Sequence, residues 1–364
     1  MSEVTATTYE EFRPGQVWLD TSGRRIQAHG GSILVLDDGT FLWYGENKER
    51  TLPGAGVWHW GMRAYRSRDL YNWEDLGTFI PPQLEDRSSP LHPRQMADRP
   101  HILYSSATGT YVCWIKIMSH EAGTQAMTIL VADDVLGPYE IVRTGFRPLG
   151  MNSGDFDLVL DSDTGRAVVV FEKVHTELIV ADLTADLTDV TGRWSSHFPH
   201  PSPPWVREAP ALLRRNGRSY LITSGTSGYF PNQSEAAVAD DVHGPWTVLG
   251  DVHPSDPSRT SFGSQISSVF QHPTRSDLYI ALGDRWLPGL DRSAPTVFDR
   301  MAELASAGDL DGALALSGAT VGGVPAEQTT WQADYVWLPI RFDGERPIIE
   351  WQDSWRVEDF KPSR

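Results

Sequence analysis

The hairpin from Ile26 to Lys48, IQAHGGSILVLDDGTFLWYGENK, restricts this chain more than any other feature, because its pattern returns four times. DRPHILYSSATGTYVCWIKI begins at Asp98, GDFDLVLDSDTGRAVVVFE at Gly154, EAPALLRRNGRSYLITSG at Glu208 and QISSVFQHPTRSDLYIALGD at Gln265. Each copy is an apolar strand, a polar turn of the Asp-Gly, Thr-Gly or Asn-Gly kind (looser in the last copy) and a second apolar strand. Three segments, SRDLYNWEDLG, ADDVLGPYEIV and ADDVHGPWTVLG, form a second recurring element that suits the outer strand of the same unit. Units starting near residues 29, 98, 155, 208 and 265 are 69, 57, 53 and 57 residues apart, longer than the ~40–50 of common propeller repeats. An all-β, five-bladed β-propeller with generous loops accounts for this spacing, and YVWLPIRFDGERPIIEWQDSWRV completes or closes a blade. A doubly wound α/β fold would need alternating helical patterns that the chain lacks.

The pattern predicts one propeller over residues 15–358, with tails at 1–14 and 359–364. One segment breaks it: residues 287–330 form an inserted excursion in the last blade, with helical spacing from Pro295 to Leu316. Self-association through this insertion is one expected use of it. The 32 Gly, 25 Pro and 14 Trp suit a turn-rich β protein and not a disordered chain.

Charge narrows the partners. Thirty-one basic against 48 acidic residues leave −17, which repels nucleic acid and anionic membrane surfaces and suits a neutral substrate. The one cysteine, Cys113 in TYVCWIKI, allows no intramolecular disulfide and reads as core. MSEVTATTYEEFRPG has neither a basic nor an apolar leader region, and nothing downstream reaches the ~20 apolar residues of a membrane span. The expectation is therefore a cytoplasmic protein acting on a short imported oligosaccharide.

Propeller geometry brings the start of each first strand to the axis, so His29 with Gly30, Asp98, Asp155, Glu208 and Gln265 should line one funnel. An acid before a strand is ordinarily a solvated turn or cap residue. Three converging in a five-fold repeat point instead to a site. Paired carboxylates facing a cleft serve glycosidic cleavage, one protonating the leaving oxygen while a second group activates water or attacks the sugar. Trp43, Tyr44, Trp58, Trp60, Tyr229, Trp286 and Trp337 offer flat walls for sugar, of which two or three are expected to touch a ligand.

These strings, with FLWYGENK, RSRDLYNWEDLG, SGDFDLVLDSDTG, REAPALLRRNGRSYLITSGTSGYFPN, SFGSQISSVF, GDRW and YVWLPI, resemble glycoside hydrolase family 43 over nearly the whole chain. Within that family of inverting, five-bladed glycosidases the chain is most similar to the exo-β-1,3-galactanase branch. The resemblance implies Glu208 as general acid, Asp155 as the acid that orients it and raises its pKa, and Gln265 as a water-positioning residue. It implies Glu46 and Asp98 as substrate-binding acids, with His29, Thr226, Tyr229, Asp284, Trp286 and Asp334 completing the sugar-binding set. No cofactor and no metal are expected. Most of the wider family has a general-base Asp on the first blade, where this chain has His29-Gly30-Gly31. For His29 two roles stay open, a base near neutral pKa or a packed, hydrogen-bonded residue at the axis. For Asp98 the alternative is a structural ion pair with Arg99 or another basic neighbour.

Three departures bear on specificity. Gly123-Thr124-Gln125 stands where the branch usually carries an aromatic, His175 or Thr176 where it has an Asn, and Tyr229 where it has a Trp. The resemblance thus implies an exo-acting, inverting hydrolase releasing terminal galactose from β-1,3-linked galactosides. The alternatives are the same machinery on an arabinofuranoside, galactofuranoside or xyloside, or a catalytically silent sugar-binding propeller.

Overall fold

The computed structural model describes residues 8–118, 124–161, 164–293 and 295–363. Five four-stranded antiparallel sheets form the blades of a β-propeller. Their innermost strands are His29–Val35, Met96–Ser105, Ser153–Asp161, Arg207–Arg215 and Gln265–Gln271, which open blades I to V. These starts lie at or within two residues of the repeat starts read from sequence. YVWLPIRFD and the residues after it supply the two outer strands of blade V, Asp334–Asp343 and Arg346–Ile349.

Burial follows the strand patterns. The second strand of blade I, Phe41–Glu46, is buried at every position, whereas the outermost strand of blade II, Glu140–Phe146, has no buried residue. Inner strands are therefore apolar on both faces, and each blade packs on the next. Trp114, Phe156 and Phe171 fill the interface of blades II and III, and Tyr44, Met62 and Ile115 that of I and II. Each such side chain adds roughly 1.5–3 kcal/mol on burial. Buried polar groups join the blades where apolar packing leaves a donor unmet. The Tyr44 hydroxyl accepts from the Ile102 N–H at 3.0 Å, and the Asp157 carboxylate accepts from the Leu212 N–H at 2.8 Å. Cys113 lies in this core, where burial pushes its thiol up.

Blades V and I share no strand among the described residues. Side chains and the backbone of the N-terminal segment close the ring instead, the Gly15 N–H donating to the Tyr335 carbonyl at 2.7 Å. The Tyr335 hydroxyl accepts from the Ala28 N–H at 2.9 Å, and the Arg25 guanidinium donates to the Gln332 and Ala333 carbonyls at 3.0 Å. Trp43 stands edge-on to Trp337 at 4.5 Å. Phe12, within the stretch read as a tail, is buried against Trp355 with ring centroids 4.4 Å apart, and the two residues exchange backbone hydrogen bonds.

The insertion carries two helices where the sequence predicts one helical stretch. α1 spans Val297–Ser306 and α2 spans Leu310–Ser317, divided at Gly308, whose φ of 88° suits glycine. Thr296 and Asp299 form a capping box on α1, and Asp309 caps α2. The insertion packs on its own propeller. A Cβ at Gly225 would lie 2.6 Å from the Phe298 ring, one at Gly228 would lie 2.5 Å from the Ser317 carbonyl, and Gln328 accepts from the Gly54 N–H at 2.9 Å. It therefore bridges blades IV and I. No helix among the described residues is long and apolar enough to cross a membrane.

Candidate active site

In every blade the pairing of the innermost strand slips beside its axial residue. The slip falls between His29 and Ser32, Asp98 and His101, Glu208 and Ala211, and Ile266 and Ser268, and in blade III opposite Phe171–Lys173. A bulge of this kind bends the strand and re-aims a side chain. In three blades the next residue is left-handed: Gly30 at φ 64°, Arg99 at 53° and Ala209 at 46°. For Arg99 and Ala209, which lie inside strands, this conformation costs about 1–3 kcal/mol each. Cross-strand pairing lifts a second set beside the first: Glu46 opposite His29, Lys116 opposite Asp98, Ser224 opposite Glu208 and Asp284 opposite Gln265.

Glu208, Asp155 and Gln265 meet in a cavity of about 410 Å³ at this end of the axis. Lys116 Nζ lies 2.7 Å and Arg99 Nη2 2.9 Å from the Asp155 carboxylate. Burial opposes ionisation of Asp155, but the two cations outweigh it and hold the carboxyl far below its ordinary range. Among the described residues no cation lies within ion-pair distance of Glu208. Burial first, then the charges of Asp155 and Glu172, raise Glu208 well above the usual carboxylate range. Of the two, Asp155 is held as the anion, and Glu208 is the one that keeps its proton to higher pH.

Gln265 fixes the arrangement further. Arg99 can only donate, so the amide oxygen of Gln265 faces Arg99 Nη2 at 2.5 Å, which leaves Nε2 to donate to Glu208 Oε1 and to Ser224 Oγ, both at 3.0 Å. With Oε1 accepting, the proton of Glu208 sits on Oε2. The second nitrogen of that guanidinium, Arg99 Nη1, is buried without a hydrogen-bond partner among the described residues.

A second pair of acids, Glu46 and Asp98, lines the same cavity. Lys48, fully buried, sits 2.8 Å from Glu46 and 3.5 Å from Asp98; the Trp58 indole donates to Asp98 at 2.6 Å, and Lys116 is 3.5 Å away. Burial pushes Glu46 up to about 8 against the pull of Lys48. Asp98, though buried, is held below its ordinary value by Lys48 and Lys116. The structural ion pair considered for Asp98 is thus made with the two lysines and not with Arg99, whose left-handed backbone sends its guanidinium to Asp155.

Thr226, Tyr229 and Trp286 line the same cavity, with Trp58. His29, Asp284 and Asp334 do not, which corrects their expected place on the sugar-binding wall. His29 is 0% exposed, bonded through Nδ1 to Asp284 at 3.1 Å and stacked on Tyr335 at 4.9 Å. Asp284 also accepts from the Gly30 N–H and the Ser267 hydroxyl, each at 3.0 Å, and Asp334 is gripped by two nitrogens of Arg285 at 2.7 and 2.8 Å. All three belong to the closure between blades V and I. Trp43, Tyr44 and Trp337 are core residues, and Trp60 lies under the Arg50 guanidinium at 3.9 Å. A larger hollow of about 920 Å³ opens near the hairpin turns of blades III to V, but its charges are paired, as Arg215 is with Asp277 at 2.6 Å. Among the described residues no group of three or more His, Cys, Asp or Glu is placed to hold a metal ion.

The sequence profile of glycosyl hydrolases family 43 matches residues 32–291, well over half of the chain. The chain belongs to this family. Solved relatives share the fold. A family 43 β-1,3-galactosidase superposes with a TM-score of 0.76 at 26% identity, over 96% of this chain and 64% of that one. A second, solved with galactodeoxynojirimycin, gives 0.74 at 25% over 95% of this chain and 100% of its own. An exo-β-1,3-galactanase from Clostridium thermocellum gives 0.68 at 26% over 94% and 66%. The chain spans less than two thirds of the first of these. No curated protein matches it by sequence.

This family 43 cavity also holds residues that sequence reasoning passed over. Lys48 and Lys116 neutralise the acids, and Glu172 pairs at 2.5 Å on the cavity wall with His175, which the sequence marks only as a departure. Burial disfavours the imidazolium of His175, but the Glu172 carboxylate outweighs it and raises the pKa. Gly154 makes the room, since a Cβ there would lie 2.2 Å from the Glu172 carboxylate. Of the departing trio, Gln125 lines the cavity, and Gly123 lies outside the described residues. The lone lysine in CWIKI carried a signal: in a strand apolar on both faces, a buried ammonium must find an acid.

Proposed function

We propose that this chain is an inverting, exo-acting glycoside hydrolase that releases terminal galactose from short β-1,3-linked galactosides. The observation that carries the reading is the division of charge between Asp155 and Glu208. One acid is kept anionic by two cations, and the other is kept protonated with only a neutral amide against it. Glu208 Oε2–H then protonates the leaving oxygen, and water attacks the anomeric carbon from the opposite face and gives up its proton to solvent. A neutral amide accepts a proton poorly, so Gln265 orients the acid and the water, and the unpartnered Arg99 Nη1 offers a donor to a sugar or water oxygen. Galactose as the terminal sugar is supported by what the solved relatives are called, β-1,3-galactosidases and an exo-β-1,3-galactanase. A second reading, the same machinery on another terminal sugar, is favoured by His175 on the wall, one of the two residues, with Thr176, that stand where the resemblance implies an Asn.

Proton NMR on β-1,3-galactobiose and galactotriose, with a panel of aryl glycosides alongside, tests both readings. Galactose released first as the α-anomer is expected. Release as the β-anomer would overturn inversion, cleavage of another glycoside alone would move the specificity, and binding without turnover on any substrate would leave a sugar-binding propeller.

A further inference from the structure

We infer that the docked insertion builds a leaving-group subsite for an apolar aglycone, an aryl or short alkyl group on the terminal sugar, in preference to a further run of sugar units. This rests on the reading that Glu208 marks the point of cleavage. In an exo-acting pocket the terminal sugar occupies the floor, and whatever it is bonded to must lie toward the mouth. Floor and mouth differ in chemistry. The floor presents Asp98, Arg99, Asp155, Glu208 and Gln265, whereas the insertion adds Leu314 of α2, backed by the buried Met301 of α1, to a wall shared with Trp58 and Tyr229, with Ser317 and Glu327 as its polar members.

Leu314 is 44% exposed, and Leu310, one turn earlier on α2, is 46% exposed, so an apolar strip runs outward from the cavity. The two leucines offer a sugar ring no hydrogen bonds but cover a phenyl or alkyl group, and Ser317 and Glu327 are the wall's polar exceptions. The wall is held in place. Trp286 packs with Phe230, Leu287, Ala326 and Ala333 in one apolar cluster, and the Gly225 and Gly228 contacts leave no space between insertion and blade IV. At about 410 Å³ the cavity is near the small end of the ~300–1,000 Å³ that encloses a compact ligand, which suits one sugar with one modest substituent.

Calorimetry with uncleavable β-thioglycosides separates this subsite from turnover. Phenyl β-thiogalactoside is expected to bind about tenfold tighter than methyl β-thiogalactoside, by the apolar area it covers. Leu314→Asn, at an exposed site that leaves the fold intact, should reduce that ratio to about twofold or threefold without changing the methyl compound's affinity. Equal affinities, a ratio untouched by Leu314→Asn, or β-1,3-galactotriose binding tighter than the phenyl compound would overturn the inference. The same ratio with thioxylosides but no binding of thiogalactosides would sink galactose and keep the subsite; no binding of either series would sink both.

Discussion

Two pairs of buried acids line one cavity with Lys116 between Asp98 and Asp155, and in both one carboxyl is raised and its neighbour depressed. What touches the raised acid separates them. Glu46 has an ammonium 2.8 Å away, with that lysine fully buried, whereas Glu208 has the amide of Gln265 at 3.0 Å. A cation in contact ties the proton of Glu46 to the fortunes of an internal ion cluster. An amide leaves the proton of Glu208 free to be given to a ligand. Burial alone therefore does not make a catalytic acid; burial beside a fixed anion, with no cation in contact, does.

The same substitution at the two raised acids gives the sharpest test. Glu208→Gln should lower kcat by about 10²–10⁴-fold, the range for loss of a general acid, without lowering the melting temperature; retained turnover would end the comparison. Asp155→Asn comes next. Without the anion, Glu208 loses its proton more readily, and the alkaline limb of the kcat profile should move down by about 1–3 pH units. Asp155 is also depressed in the folded state. Its stabilisation is present above the unfolded value of about 3.9 and is lost as pH falls through the folded value, so the variant's deficit in melting temperature should be clear at pH 7 and shrink in acid. An unmoved limb would reassign Asp155 to structure alone.

Glu46→Gln should do least. Because Glu46 is raised to about 8, the wild type loses stability as pH rises from the unfolded carboxylate value, about 4.3, toward that point. The Gln variant should lack this slope in urea melts across the same window, with the alkaline limb of kcat unmoved. A shifted limb would mean that the two pairs act as one.

The propeller was legible because each blade restates one pattern, a polar axial residue followed by an apolar hairpin. Asp98, Asp155, Glu208 and Gln265 could be read in their blades from that phase alone. His29, Asp284 and Asp334 could not, because blade V meets blade I only in space, and an acid turned into that closure looks in sequence like one turned into the cavity. Trp43 and Trp337 misled for a similar reason: an indole in an inner strand serves either face. The roles of Lys48, Lys116 and Arg99 depend on which carboxylate each reaches across blades, and for Arg99 on a left-handed backbone that an ordinary residue type does not announce.

The closure itself has a consequence for the covalent order of the chain. Since blades V and I share no strand among the described residues, and Phe12 lies against Trp355 and exchanges backbone hydrogen bonds with it, the two ends of the chain already meet at the closure. A circular permutant that links the two ends by a short loop and opens between blades I and II should assemble the same cavity, with the five axial residues in a new order along the chain. Where the polypeptide happens to be severed is thus a matter of history, and the chemistry belongs to the circle.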